Sequence, residues 1–120
     1  MRRDARAYLS DIIDACRAIQ AATAGADLTG YEDSRIIRSA VEREFIIVGE
    51  ALSALSRDRP DLFEQVSRAR RIVDFRNQLT HAYPTVDNAL VWAIIQSDVE
   101  RLLDECAKLL ERSESARDEA

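Results

Sequence analysis

The residues of this chain best suited to moving protons and holding anions lie together in one segment, Arg76-Asn77-Gln78-Leu79-Thr80-His81-Ala82-Tyr83. His81 is the only histidine, and an imidazole ordinarily titrates near neutrality, so it can take or release a proton at physiological pH. Arg76 offers a planar fork that grips a phosphate at two points. On a helix, Asn77 and His81 share one face, while Arg76 and Thr80 share another. Arg76 and His81 are five residues apart, which separates them by about 140° around a straight helix. Either the long arginine bends toward the histidine, or the two converge with symmetry mates across a dimer. Taken singly, each residue has an ordinary role. A lone histidine near a helix C-terminus commonly faces the terminal carbonyls, and Arg76 could pair with Asp74 or Asp87. The signal is the group.

Other chemistries drop out on residue type and spacing. One histidine cannot build a multi-histidine metal site, and Cys16 and Cys106 are too far apart for a zinc spacing. Two cysteines with no apolar leader segment behind the N-terminal arginines make no disulfide framework. There is no glycine-rich phosphate loop, and no serine sits on an elbow motif. Acidic pairs such as Glu42 and Glu44 read as solvated helix faces. No metal or cofactor is expected. A net charge of −5 means that the molecule as a whole does not draw nucleic acid, so an RNA substrate would need a local basic patch. Arg68, Arg70 and Arg71 could supply one just upstream of the motif, or could be ordinary helix surface. All 17 Lys and Arg residues except Lys108 are arginine, a skew that a GC-rich genome explains more simply than phosphate recognition does.

The elements that must carry the motif are helical. With three glycines and two prolines, the chain has little punctuation for hairpins. A first helix is expected over 4–24, with Tyr8, Ile12, Ala15, Cys16, Ile19 and Ala22 as its apolar stripe. A polar loop over 25–33 follows. Ser34 then caps a second helix reaching to about Ser56, striped by Ile37, Val41, Phe45, Val48, Leu52 and Leu55. Ile36, Ile46 and Ile47 widen that stripe enough for a second neighbour or a second copy of the chain. Pro60 opens a short turn. A helix over 69–82 bears the motif and stops at Pro84. The last helix runs from about Asp87 to Ser113 with Leu90, Val91, Ile94, Ile95, Val99, Leu102, Leu103, Cys106, Leu109 and Leu110. Residues 1–113 therefore read as one all-α domain, an antiparallel four-helix bundle with a short extra helix, and 114–120 as a polar tail. No run approaches the roughly 20 apolar residues of a membrane span, and the expected compartment is the cytoplasm.

The segment Ile72 to Tyr83, with its Arg-x4-His-x-Tyr core, resembles the signature region of HepT-like toxins in the HEPN superfamily. Phe45-Ile46-Ile47-Val48-Gly49-Glu50-Ala51 is similar to the second-helix segment of those proteins. Val86-Asp87-Asn88-Ala89-Leu90-Val91-Trp92 is similar to the start of their last helix. The resemblance is collinear from about Tyr8 to Leu110. It implies a metal-independent ribonuclease acting as a homodimer, with its cleft where two motif copies meet, within a type VII-like toxin–antitoxin pair. It also implies an MntA-like nucleotidyltransferase antitoxin that attaches AMP to Tyr83. Ala82 and Pro84 depart from the family pattern, which commonly has glycine and a non-proline residue there. On this reading Arg76, His81 and Asn77 are catalytic, Arg71 and Tyr83 bind substrate, and Glu50 either faces the cleft or is simply solvated. The rival reading is a non-catalytic helical module that docks with, and is modified by, a nucleotidyltransferase partner.

Overall fold

The computed structural model describes residues 3–81 and 86–119, with side chains described as far as residue 115. Every described element is helical: α1 Ala5–Thr23, α2 Leu28–Asp33, α3 Arg35–Asp58, α4 Pro60–Phe63, α5 Ala69–His81, α6 Asn88–Ile94, a π-helical turn Ile95–Val99, and α7 Glu100–Glu119. The starts follow local chemistry. The Asp4 carboxylate accepts from the Arg6 N–H, Ser34 Oγ accepts from Ile37 N–H at 3.2 Å, and Asp87 Oδ1 accepts from Leu90 N–H at 3.1 Å. Each of these caps satisfies a donor that the first helical turn leaves orphaned. Pro60 occupies the start of α4, where its missing N–H costs nothing.

Helix α3 packs between α1 and α5, and α1 also lies along α7, giving the expected all-α, antiparallel four-helix bundle. The core takes Leu9, Ile12, Cys16 and Ile19 from α1, and Val41, Phe45, Val48, Leu52 and Leu55 from α3. Ile72 and Phe75 come from α5, while Val91, Ile94, Val99, Leu102 and Cys106 come from the last helical run. Burial pushes both thiols, Cys16 and Cys106, up to about 12, so neither is a thiolate at neutral pH. No helix among the described residues is long and apolar enough to cross a membrane.

Three features depart from the sequence reading. The segment expected to be a loop contains α2, whose N-terminus is capped by Asp27 Oδ1 accepting from Gly30 N–H at 2.8 Å. Its Tyr31 is completely buried and stacks on Trp92 with ring centroids 5.6 Å apart. One large aromatic inserted into the bundle outweighs the polar composition around it, since a ring of this size is a large apolar payload. Leu90, expected in the core stripe, is 37% exposed, because α6 turns its Val91 and Ile94 inward instead. The last helical run continues to Glu119, past the end expected at Ser113. Ile36, one of the residues that widened the α3 stripe, is 84% exposed.

Candidate active site

The seat of α5 on α3 sets the geometry of the motif. Phe75 meets Phe45 edge-on, with centroids 5.1 Å apart and planes at 85°, which fixes α5 against α3 immediately before Arg76. One turn along α3 from Phe45 is Gly49. A Cβ at position 49 would run into the Cβ and Cγ of Arg76 and lie 3.2 Å from its Nε. The arginine stem therefore lies directly across the glycine. A glycine inside a helix costs about 1 kcal/mol relative to alanine, and here it permits an approach that no other residue would allow. One further turn along α3, Ser53 Oγ accepts from Arg76 Nη2 at 3.3 Å. The Arg76 Nε is buried with no acceptor. Neither Asp74 nor Asp87 pairs with Arg76, and no carboxylate among the described residues does. Among the described residues, a half-buried Arg76 is thus held by its stem and one neutral hydroxyl, with no carboxylate beside it.

His81 is the last residue of α5 and is exposed, as is Asn77. No hydrogen bond joins either side chain to another described residue, and none joins Arg76 to His81 within the chain. The Thr80 hydroxyl turns back on its own helix, bonding the carbonyls of Arg76 at 3.2 Å and Asn77 at 3.1 Å. His81 sits in the last turn of α5. Tyr83, with Ala82 and Pro84, lies outside the described residues.

The arginines upstream of the motif converge on a carboxylate that the sequence reading did not single out. Asp98, in the π-helical turn, is completely buried. Its Oδ1 lies 3.6 Å from Arg68 Nη1 and 3.5 Å from Arg101 Nη2, and its Oδ2 lies 3.9 Å from Arg71 Nε. The Ser97 hydroxyl donates to the same Oδ1 at 3.0 Å. Arg70 instead covers the Phe63 ring at 5.1 Å, a cation–π contact. Arg101 also lies 3.5 Å from Glu105, so three cations meet two anions in this cluster of a protein of net charge −5. Arg71 also borders a shallow cavity of about 240 Å³ with Asp74, Phe75, Gln78, Leu90 and Ile94, so it faces both Asp98 and open surface. Glu50 is exposed and lines a separate hollow with Arg3, Tyr8, Asp11, Ile47 and Ala51. Among the described residues, no group of three or more His, Cys, Asp or Glu could hold a metal ion.

Sequence reading passed over Gly49, Ser53 and Asp98, though two of them left a trace. Gly49 is a helix-weakening residue in the middle of an apolar stripe, which asks for a packing reason. Asp98 falls between Ile95 and Leu102 at core spacing, where an unpaired charge would be costly. Ser53 carries no signal of its own, because a serine on a partly exposed helix face is unremarkable.

Among the described residues, this all-helical domain presents at one end of α5 an arginine without a carboxylate partner and an exposed histidine. Residues 12–109 match the family model described as Ribonuclease HepT-like, and the chain belongs to this HepT-like ribonuclease family. It is 32% identical over 104 residues to a Methanocaldococcus jannaschii protein named "Putative RNase", spanning 87% of this chain and 94% of that one. A Thermococcus cleftensis protein named "Probable ribonuclease HepT" is 28% identical over 109 residues, 91% of this chain and 98% of its own length. A second M. jannaschii protein, named "Gamma-glutamylcyclotransferase and putative RNase", is 26% identical over 111 residues, and this chain covers 50% of it. No solved structure gives a significant match.

Proposed function

We propose that this protein is a metal-independent endoribonuclease that cuts RNA by transesterification, with Arg76, Asn77 and His81 as its working residues. The observation that carries this reading is the Arg76 guanidinium. It is anchored on α3, has no carboxylate partner among the described residues, and lies five residues before an exposed histidine. An arginine kept only for stability would be expected to find an acid. In the reaction, His81 of one chain removes the proton from a ribose 2′-hydroxyl, and O2′ attacks the adjacent phosphorus. The P–O5′ bond breaks, and O5′ takes a proton from the histidine of a second copy. The products are a 2′,3′-cyclic phosphate and a free 5′-hydroxyl. Arg76 binds the phosphate and opposes the charge that grows on its oxygens, while Asn77 orients the imidazole or the substrate. Two histidines, one from each protomer of a homodimer, serve the two proton transfers. Because the chain does not join Arg76 to His81 internally, a cleft shared by two copies supplies the convergence.

On the same reading, Arg71 and Tyr83 contact flanking RNA, and Tyr83 is the residue an MntA-like nucleotidyltransferase antitoxin would cap with AMP. This would make the protein the toxin of a toxin–antitoxin pair. Supporting it are family membership and the Arg-x4-His-x-Tyr sequence. The test is incubation of the purified protein with RNA in EDTA, alongside His81→Ala and Arg76→Ala. The parent should yield 2′,3′-cyclic phosphate ends, and each variant should lose about 100-fold or more in rate. Variants that cut as well as the parent would remove these residues from the mechanism. A parent that is inert on RNA but accepts AMP on Tyr83 would favour the docking-module reading.

A further inference from the structure

We propose that Gly49 and Ser53 of α3 are positioning residues for Arg76, forming a slot that presets its guanidinium before substrate arrives. The inference rests on the catalytic reading of Arg76 and adds what holds that residue in place. Gly49 and Ser53 are four residues apart on one face of α3, and Arg76 touches both. Its stem occupies the space a side chain at 49 would need, and its Nη2 donates to the Ser53 hydroxyl at 3.3 Å. A long arginine side chain has considerable rotamer entropy to lose. A cation meant to meet a phosphate in one geometry gains if that loss is taken during folding rather than at binding.

The partners are of unusual kinds for a guanidinium. A carboxylate on α3 would neutralise the charge and compete with phosphate, whereas a serine fixes the fork and leaves the charge available. The Nε–H is buried against Gly49 with no acceptor among the described residues, and Nη2 is held by Ser53. This arrangement is unfavourable by itself, since an unmet buried donor loses its hydration without replacement. Phe45 and Phe75, stacked edge-on, keep the two helices close enough for the slot to exist.

The test compares Ser53→Ala and Ser53→Thr with the parent, singly and combined with Arg76→Lys, and adds Gly49→Ala. Cleavage of an RNA oligonucleotide in EDTA is measured together with thermal unfolding. Ser53→Ala should lower kcat/KM about tenfold with little change in unfolding temperature, and Ser53→Thr, which keeps the hydroxyl, should recover most of the loss. In the Arg76→Lys background Ser53→Ala should have almost no further effect, because the group it positions is gone. A purely structural serine would instead give equal losses in both backgrounds and a matching fall in unfolding temperature, and that result overturns the proposal. Gly49→Ala should abolish cleavage, and a folded Gly49→Ala protein that cuts like the parent also overturns it.

A second readout keeps this inference separate from the ribonuclease reading. The ¹⁵N-labelled Arg76 Nε–H resonance, assigned by its loss in Arg76→Lys, should be sharp and displaced from the other arginines in the parent. It should collapse toward them in Ser53→Ala. If the parent cleaves no RNA while this resonance behaves as described, the slot stands and the catalytic reading fails. If the resonance is already averaged in the parent, the slot itself is refuted.

Discussion

A backbone torsion at Arg68 shows how individual side chains are bound into the chemistry of this protein. Its φ of +58° lies in the left-handed region, which costs an L-residue about 1–2 kcal/mol and which glycine adopts freely. An arginine in such a place needs a reason in its side chain, and Arg68 Nη1 lies 3.6 Å from the buried Asp98. Arg68→Gly loses that half-exposed ion pair, worth about 1 kcal/mol or less, but relieves the torsion. Arg68→Ala loses the pair and keeps the strain. The glycine variant is therefore expected to be more stable than the alanine variant by about 1 kcal/mol in urea unfolding. The reverse order would show that the torsion is not strained. Arg76 presents the complementary case, an arginine with no carboxylate partner among the described residues and a buried Nε–H left without an acceptor there, and it is the basis of the functional reading.

Among the elements, α2 and the π-helical turn each bury one residue that ties them to their neighbours. Tyr31 anchors α2 by burying its ring beside Trp92, yet its hydroxyl has no hydrogen-bond partner among the described residues. Tyr31→Phe keeps the ring and removes the orphaned group. Its unfolding temperature is expected to equal or exceed that of the parent, by up to about 1 kcal/mol of stability. A clear loss would reveal a partner for the hydroxyl. The π-helical turn at Ile95–Val99 inserts the buried Asp98 into the arginine cluster, joining the last helical run to the start of α5. Removing the carboxylate leaves Arg68 and Arg71 without this partner and Arg101 with Glu105 alone, although water reaches each of the three. Asp98→Ala should lose about 2–3 kcal/mol, measured by denaturant titration. Unchanged stability would mean that the arginines simply rotate into solvent.

For the whole molecule, the buried titratable groups set a stability limit on the alkaline side. Burial raises Cys16 and Cys106 from 9.0 to about 12, and Tyr31 from 10.0 to about 12. The folded chain holds these protons where the unfolded chain gives them up, so the unfolded state gains as pH rises. Stability from this source is intact below about pH 9 and declines between roughly pH 9 and 12, the interval between the unfolded and folded values. Thermal unfolding followed from pH 7 to 11 should show that decline. A Cys16→Ala/Cys106→Ala double variant should start lower, because it leaves cavities, but should fall less steeply. Equal slopes in the two proteins would exclude the thiols as the cause.

The amino-acid sequence by itself determined the helices and most of the core. The cap at Ser34, helix starts near Asp4 and Asp87, and apolar residues at three- and four-residue steps are local codes readable without knowing what packs where. The Arg-x4-His-x-Tyr pattern was legible for the same reason, as spacing along one helix. The tertiary structure alone decided what Arg76 rests on and which acid Arg71 meets. Arg76 and Ser53 are 23 residues apart, on helices whose axial offset no periodicity encodes. Their meeting depends on how closely two backbones approach at Gly49. The burial of Tyr31 was hidden similarly, because a single aromatic in a polar segment gives no stripe. The motif in the sequence marked where chemistry could occur, and the packing of α5 on α3 determined that its arginine is held in place and left without an acid.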